Sequence, residues 1–179
     1  MSTMVSLVSE LERIAGALEG DDAGTGQLSL SSIAERIAQT MGVRKEEVAI
    51  LAVSRRWKHL HFLVPESLKN AGFIPLSSTS ALAAKTVRES RPEIDNNFSA
   101  ARHAVVFENI KLSGETPEFI QKIVSAPILF EGRVIGVIQI SRKGLDPASA
   151  GPDFTADDLG KLLAVCKPLG KLAHRFAGE

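Results

Sequence analysis

The sequence predicts an α+β fold: an antiparallel β-sheet with helices packed on one face, plus an N-terminal helix. Apolar residues recur at spacings of three and four near both ends of the chain, as on one side of an amphipathic helix. The period changes in the middle, where 48–53 reads VAILAV, apolar on both faces like a central buried strand. Residues 126–144 read APILFEGRVIGVIQISRKG, two apolar runs around Glu131-Gly132, the pattern of a tight hairpin. Helices at the ends and consecutive strands within imply helices packed on an antiparallel sheet.

The elements follow in chain order. Met4, Leu7, Leu11, Ile14 and Leu18 form the first helical stripe, and Gly20 to Gly26 (GDDAGTG) reads as a linker. Leu30, Ile33, Ile37 and Met41 share one face of a second helix, with Ser29 as N-cap and Gly42 as its stop. After VAILAV, Ser54 to Lys58 is a polar turn, and His59 to Val64 is the returning strand, ended by Pro65. A short helix near Glu66 to Asn70, a strand around FIPL and a helix over Ser80 to Arg88 come next, the last burying Leu82, Ala83 and Val87. Residues 89–120 contain Pro92, Asp95, Asn96, Asn97, Gly114 and Pro117 and read as a long connection over one sheet face, with a short helix running into a strand over Ser99 to Phe107.

In the hairpin, Val124, Ala126, Ile128 and Phe130 share a face of the first strand. On the second, Ile135 and Val137 oppose Val134, Ile138 and Ile140. Gly132 takes the positive φ, and Gly136 sits where a neighbouring backbone approaches closely. The final helix begins at Thr155, with Asp158 returning the capping bond and Phe154 and Leu159 as a staple. Leu159, Leu162, Cys166, Leu169, Ala173 and Phe176 form its stripe, and Pro168 kinks it.

The chain has 179 residues, with 21 basic and 21 acidic side chains and no net charge. That balance argues against a broad binding footprint for nucleic acid or an anionic membrane. The single cysteine, Cys166, excludes an internal disulfide framework and a multi-cysteine metal site. Glu10 and Glu12 interrupt the N-terminal apolar pattern, and no run reaches transmembrane length, so a cytoplasmic protein is expected.

From about Ser29 to Phe176 the chain resembles GAF domains, the sensory α+β modules of signalling proteins. The residues that carry the resemblance are Ala126-Pro127, Gly132, Val134-Ile135-Gly136-Val137, and Phe154-Thr155 with Asp158-Leu159. The helix SALAAKTVRES followed by RPEIDN adds to it. The resemblance implies an N-terminal amphipathic helix over 1–20 that serves dimerisation and a GAF-like domain over 29–179. It implies a homodimer formed through the terminal helices, whose first stripe lies beyond the minimal core. It names no cofactor. Covalent bilin attachment and the free-methionine sulfoxide reductase cycle need cysteines that one Cys166 does not provide, and the N-K-x-F-x-D-E signature of cyclic-nucleotide-binding members is missing.

The expected function is a non-catalytic sensory domain that binds a small molecule, mediates dimerisation in signalling, or does both. The alternative is a ligand-free structural module for protein association. An enzyme using Cys166 or the histidines is a third class. GAF ligands sit between the sheet and the long connection, which makes Asn97, Arg102, His103 and Phe107 the candidate ligand-binding residues. Asp95, Asn96 and Asn97 also read as ordinary Asx capping of a loop. His59 and His61 alternate on one strand and face the same side, but a metal needs a further ligand, and no metal site is assigned. His174 reads as a partner of the last helix's dipole. Ser54-Arg55-Arg56-Trp57-Lys58 reads as a solvated turn. No arrangement of nucleophile, base and acid argues for catalysis.

Overall fold

The computed structural model describes residues 3–20, 30–98 and 119–173, except the side chains of residues 3–4 and 17–20. The helices are α1 (Thr3–Gly20), α2 (Leu30–Met41), α3 (Leu82–Glu89), α4 (Pro147–Ala150) and α5 (Ala156–Ala173). The strands are β1 (Val48–Ser54), β2 (His59–Val64), β3 (Phe73–Pro75), β4 (Glu93–Asp95), β5 (Phe119–Phe130) and β6 (Arg133–Gly144). Among the described residues they form one six-stranded sheet in the order β3-β2-β1-β6-β5-β4, with every pairing antiparallel.

The helical stripes close over one sheet face. Leu7 and Leu11 of α1, Ile33 and Ile37 of α2, and Leu162 and Leu169 of α5 bury Ile50, Val124, Ala126, Ile138 and Ile140. Leu7 and Leu11 of the α1 stripe are thus covered within their own chain, Leu11 retaining 1% exposure. Glu12 pairs with Lys171 of α5 at 3.3 Å and Glu10 with Arg36 of α2. These are surface pairs that add little beside the apolar burial.

Short α3 stands on the opposite face. Ala81, Ala83 and Ala84 pack with Leu51, Leu60, Phe62 and Val137. Small side chains here let the helix lie close to the sheet. Beside it, Leu82, Phe98, Ile120 and Ile123 form a second apolar group.

The hairpin turns at Glu131 and Gly132, whose φ values are 51° and 77°. Both central residues are left-handed, the geometry that matches strand twist in a two-residue turn. A register shift lies between Ile128 and Leu129. It returns Ile135 to the helix-covered face, while Val137 packs under α3. Strict alternation had put those two together, and the bulge is what separates them.

Two glycines permit close approach. A Cβ on Gly136 would lie 2.5 Å from the Leu51 carbonyl oxygen, and one on Gly170 of α5 would collide with the Leu129 carbonyl. Helix ends follow the capping rules. Gly42, at φ 70°, closes α2, and Val43 N–H reaches the Ala38 carbonyl at 3.0 Å. At the start of α5, Asp158 N–H donates to Thr155 Oγ1 at 3.2 Å and Thr155 N–H to Asp158 Oδ2 at 2.9 Å. Pro168 lies within α5, which continues past it to Ala173.

Strand β4 was not anticipated from sequence. Its Glu93, Ile94 and Asp95 pair with Ser125, Val124 and Ile123 of β5. Ser29, His174 and Phe176, and the helix-to-strand expectation over 99–107, lie outside the described residues.

Candidate functional site

The α3 face of the sheet is apolar except for a row of polar side chains at its centre. Ser125 on β5 and Gln139 on β6 are register partners, and Thr86 comes down onto them from α3. All are buried. Gln139 Nε2 donates to Ser125 Oγ at 3.2 Å, and the Ser125 and Thr86 hydroxyls lie 2.7 Å apart. Thr86 Oγ1 donates to the Leu82 carbonyl at 2.9 Å. A hydroxyl has one proton, and that of Thr86 is committed to Leu82, so Ser125 must donate to Thr86. The bonds therefore run one way, from Gln139 through Ser125 and Thr86 to Leu82, and fix the orientation of the Gln139 amide.

Gln139 also lines a cavity of about 40 Å³, together with Ser141, Phe62, Ile120 and Ile123. That volume suits a water molecule rather than a metabolite. One end is closed by Glu47, which sits in a single helical turn (Lys45–Glu47) before β1. Its carboxylate is buried and anchored, Oε1 accepting from Arg44 N–H at 2.9 Å and Oε2 from Lys143 N–H at 2.6 Å.

The predicted site segment is described only as far as Phe98. Asn97 is exposed, and its N–H donates to Asp95 Oδ1 at 2.9 Å in an Asx turn. Asn96 clamps the start of α5, donating from Nδ2 to the Phe154 carbonyl at 3.0 Å and accepting from Phe154 N–H at 2.8 Å. Arg102, His103 and Phe107 lie outside the described residues. Phe98, which falls within the connection read over 89–120, is buried against Ile120 and Ile123 and supplies apolar surface on this face. Sequence reasoning also passed over Thr86, Ser125 and Gln139. The available signal was Gln139 itself, an amide inside the apolar run VIGVIQI.

The other candidates lie apart from this face. His59 stacks on Phe73 at 4.1 Å between ring centroids and meets His61 edge-on at 6.1 Å. Partial burial, and secondarily the neighbouring His59, holds the His61 pKa below its ordinary value. Among the described residues no group of His, Cys, Asp and Glu is placed to hold a metal ion. Trp57 is exposed in the turn after β1, with the Arg56 guanidinium 5.1 Å from its ring centre. Cys166 lies in the core on the helix-covered face, where burial pushes its thiol pKa up to about 12. Among the described residues no helix is long and apolar enough to cross a membrane.

No protein-family model matches the chain, and neither does any curated protein sequence. Solved structures do match over nearly its full length. The GAF domain of an Acinetobacter phosphoenolpyruvate-protein phosphotransferase superposes with a TM-score of 0.64 at 16% identity, covering 99% of this chain and 97% of that one. The chain has a GAF fold. A second neighbour is residues 122 to 287 of a methyl-accepting chemotaxis protein, with a TM-score of 0.63 at 15% identity and coverages of 94% and 95%. A third is the type II free methionine-R-sulfoxide reductase of Thermoplasma acidophilum, at 0.59, 14% identity, and coverages of 93% and 97%. The neighbours thus include a chemotaxis protein and a reductase, and identities this low establish the fold alone.

Proposed function

We propose that this GAF domain is a non-catalytic, cytoplasmic sensory module of a signalling system that binds a small molecule on the α3 face of its sheet. The observation that carries this reading is the one-way Gln139–Ser125–Thr86 chain, buried at the centre of the α3 face beside the cavity that Gln139 lines. Small-molecule sites are built this way, with apolar walls for affinity and a few oriented polar groups for specificity. The GAF domain of a phosphotransferase and a segment of a chemotaxis protein among the neighbours support the signalling context.

The enzyme reading has less support. A thiol chemistry like that of the reductase neighbours would need a reactive cysteine. The chain has only Cys166, buried on the opposite face with its thiol held protonated. A second reading, a ligand-free association module, is favoured by the small size of the cavity beside Gln139.

A thermal-shift screen of polar metabolites on wild type and Gln139→Leu tests the proposal. A compound that stabilises wild type and not the variant, with both folded, supports it. A screen in which wild type responds to nothing favours the association module.

A further inference from the structure

A groove of about 590 Å³ opens at the end of the sheet where β1 begins and β6 finishes. Arg44, Arg142, Lys143 and Glu47 supply its charge, and Val43 and Leu145 its apolar surface. Leu145 is 68% exposed at the rim. Among the described lining residues, three are cations and one is a carboxylate.

That carboxylate is already engaged. Glu47 Oε1 takes the Nε–H of Arg44 at 3.3 Å as well as its backbone N–H, and Oε2 takes the Lys143 N–H. Arg142 enters none of the ion pairs formed among the described residues. Its guanidinium is held against the Phe154 ring, 4.7 Å from the centre, which fixes the plane. Among the described residues it donates once, from Nη1 to the Gly42 carbonyl at 3.4 Å, and its Nε is buried without a partner. A guanidinium carries five donors. One that is oriented, positively charged and mostly unanswered is matched by a multi-oxygen anion, and buried donors gain most from acquiring a charged acceptor.

We propose that this groove binds a small phosphate ester. The phosphate dianion sits against Arg142 and Lys143, and the organic body lies on Val43 and Leu145. The groove is distinct from the α3-face cavity, but Glu47 and Lys143 line both. An occupant of the groove therefore touches the wall of the candidate site.

The test is an NMR titration of the full chain with inorganic phosphate and with phenyl phosphate, at ionic strength held constant with sodium chloride. The proposal expects saturable shifts of the Arg142 Nε–H and of the Gly42, Gly144 and Ala150 amides, with phenyl phosphate binding tighter. Arg142→Gln and Lys143→Gln should each weaken binding about tenfold, the scale of one charge-assisted bond. Leu145→Ser should remove the advantage of phenyl phosphate and leave inorganic phosphate unaffected. Should Arg142→Gln fail to fold, Lys143→Gln and the native Arg142 Nε–H signal decide. Non-saturating shifts scattered over surface lysines, or saturable shifts that Lys143→Gln leaves unchanged, would overturn the site.

Discussion

The hydroxyls of Ser125 and Thr86 meet at 2.7 Å in the interior, joining the sheet to α3. Removing either leaves its partners short of a bond. Ser125→Ala strands the Gln139 Nε2–H and should cost about 1–3 kcal/mol, the usual penalty for an unsatisfied buried donor. Thr86→Val strands the buried Ser125 O–H that Thr86 accepts and should cost a similar amount. Urea denaturation of the single and double variants checks this. The double variant should lose less than the sum of the singles, because both act on one chain of bonds. Strict additivity would show that the hydroxyl pair is not formed.

Leu11 is 1% exposed in the core between α1 and the rest of the domain. Leu11→Ala should therefore lower stability by about 2–5 kcal/mol, as for other buried leucines. The loss should appear in the unfolding of the whole domain at any protein concentration. A variant that keeps its melting temperature and changes only its light-scattering mass would place Leu11 in a subunit interface instead.

How legible these features were depended on how local they are. The Glu131-Gly132 turn and the Thr155–Asp158 cap are written in adjacent residues, and both were predicted. So was the closeness of a backbone at Gly136, now seen to be that of Leu51. Strand β4 was missed because three residues after a proline have no period of their own. Their strand state comes from pairing with Ile123 to Ser125. The face of Ile135 was misassigned because a bulge leaves no mark in composition. Ser125, Thr86 and Gln139 are ordinary residues on three separate elements, and only the fold brings them together.

Acid should weaken the domain through His61. Burial, then the charge of His59, depresses its folded pKa below the ordinary value of 6.5. The unfolded chain therefore takes up the proton first. The stability contributed by neutral His61 is complete above about pH 6.5 and is lost as pH falls through the folded pKa. Melting temperature should decline over that window, and His61→Gln should decline less. Identical profiles for the two proteins would remove His61 as the cause.

Cys166 should behave as a packing residue. With its thiol pKa near 12 and its side chain buried, a disulfide reagent should modify it only as fast as the domain opens. The unfolded thiol ionises first, near 9.0, so stability should fall as pH rises above that value, and Cys166→Ala should lack this component. Modification at the rate of a free thiol would reopen a catalytic role.

The most direct test of small-molecule sensing is isoleucine-methyl NMR of the labelled protein with a pool of polar metabolites. Ile74, Ile120 and Ile123 report on the α3 face, and Ile33, Ile37, Ile138 and Ile140 on the helix-covered core. The account predicts that the first group shifts while the second stays still, and that Gln139→Leu abolishes the response. A pool that moves no methyl, or moves only the helix-side methyls, would contradict it.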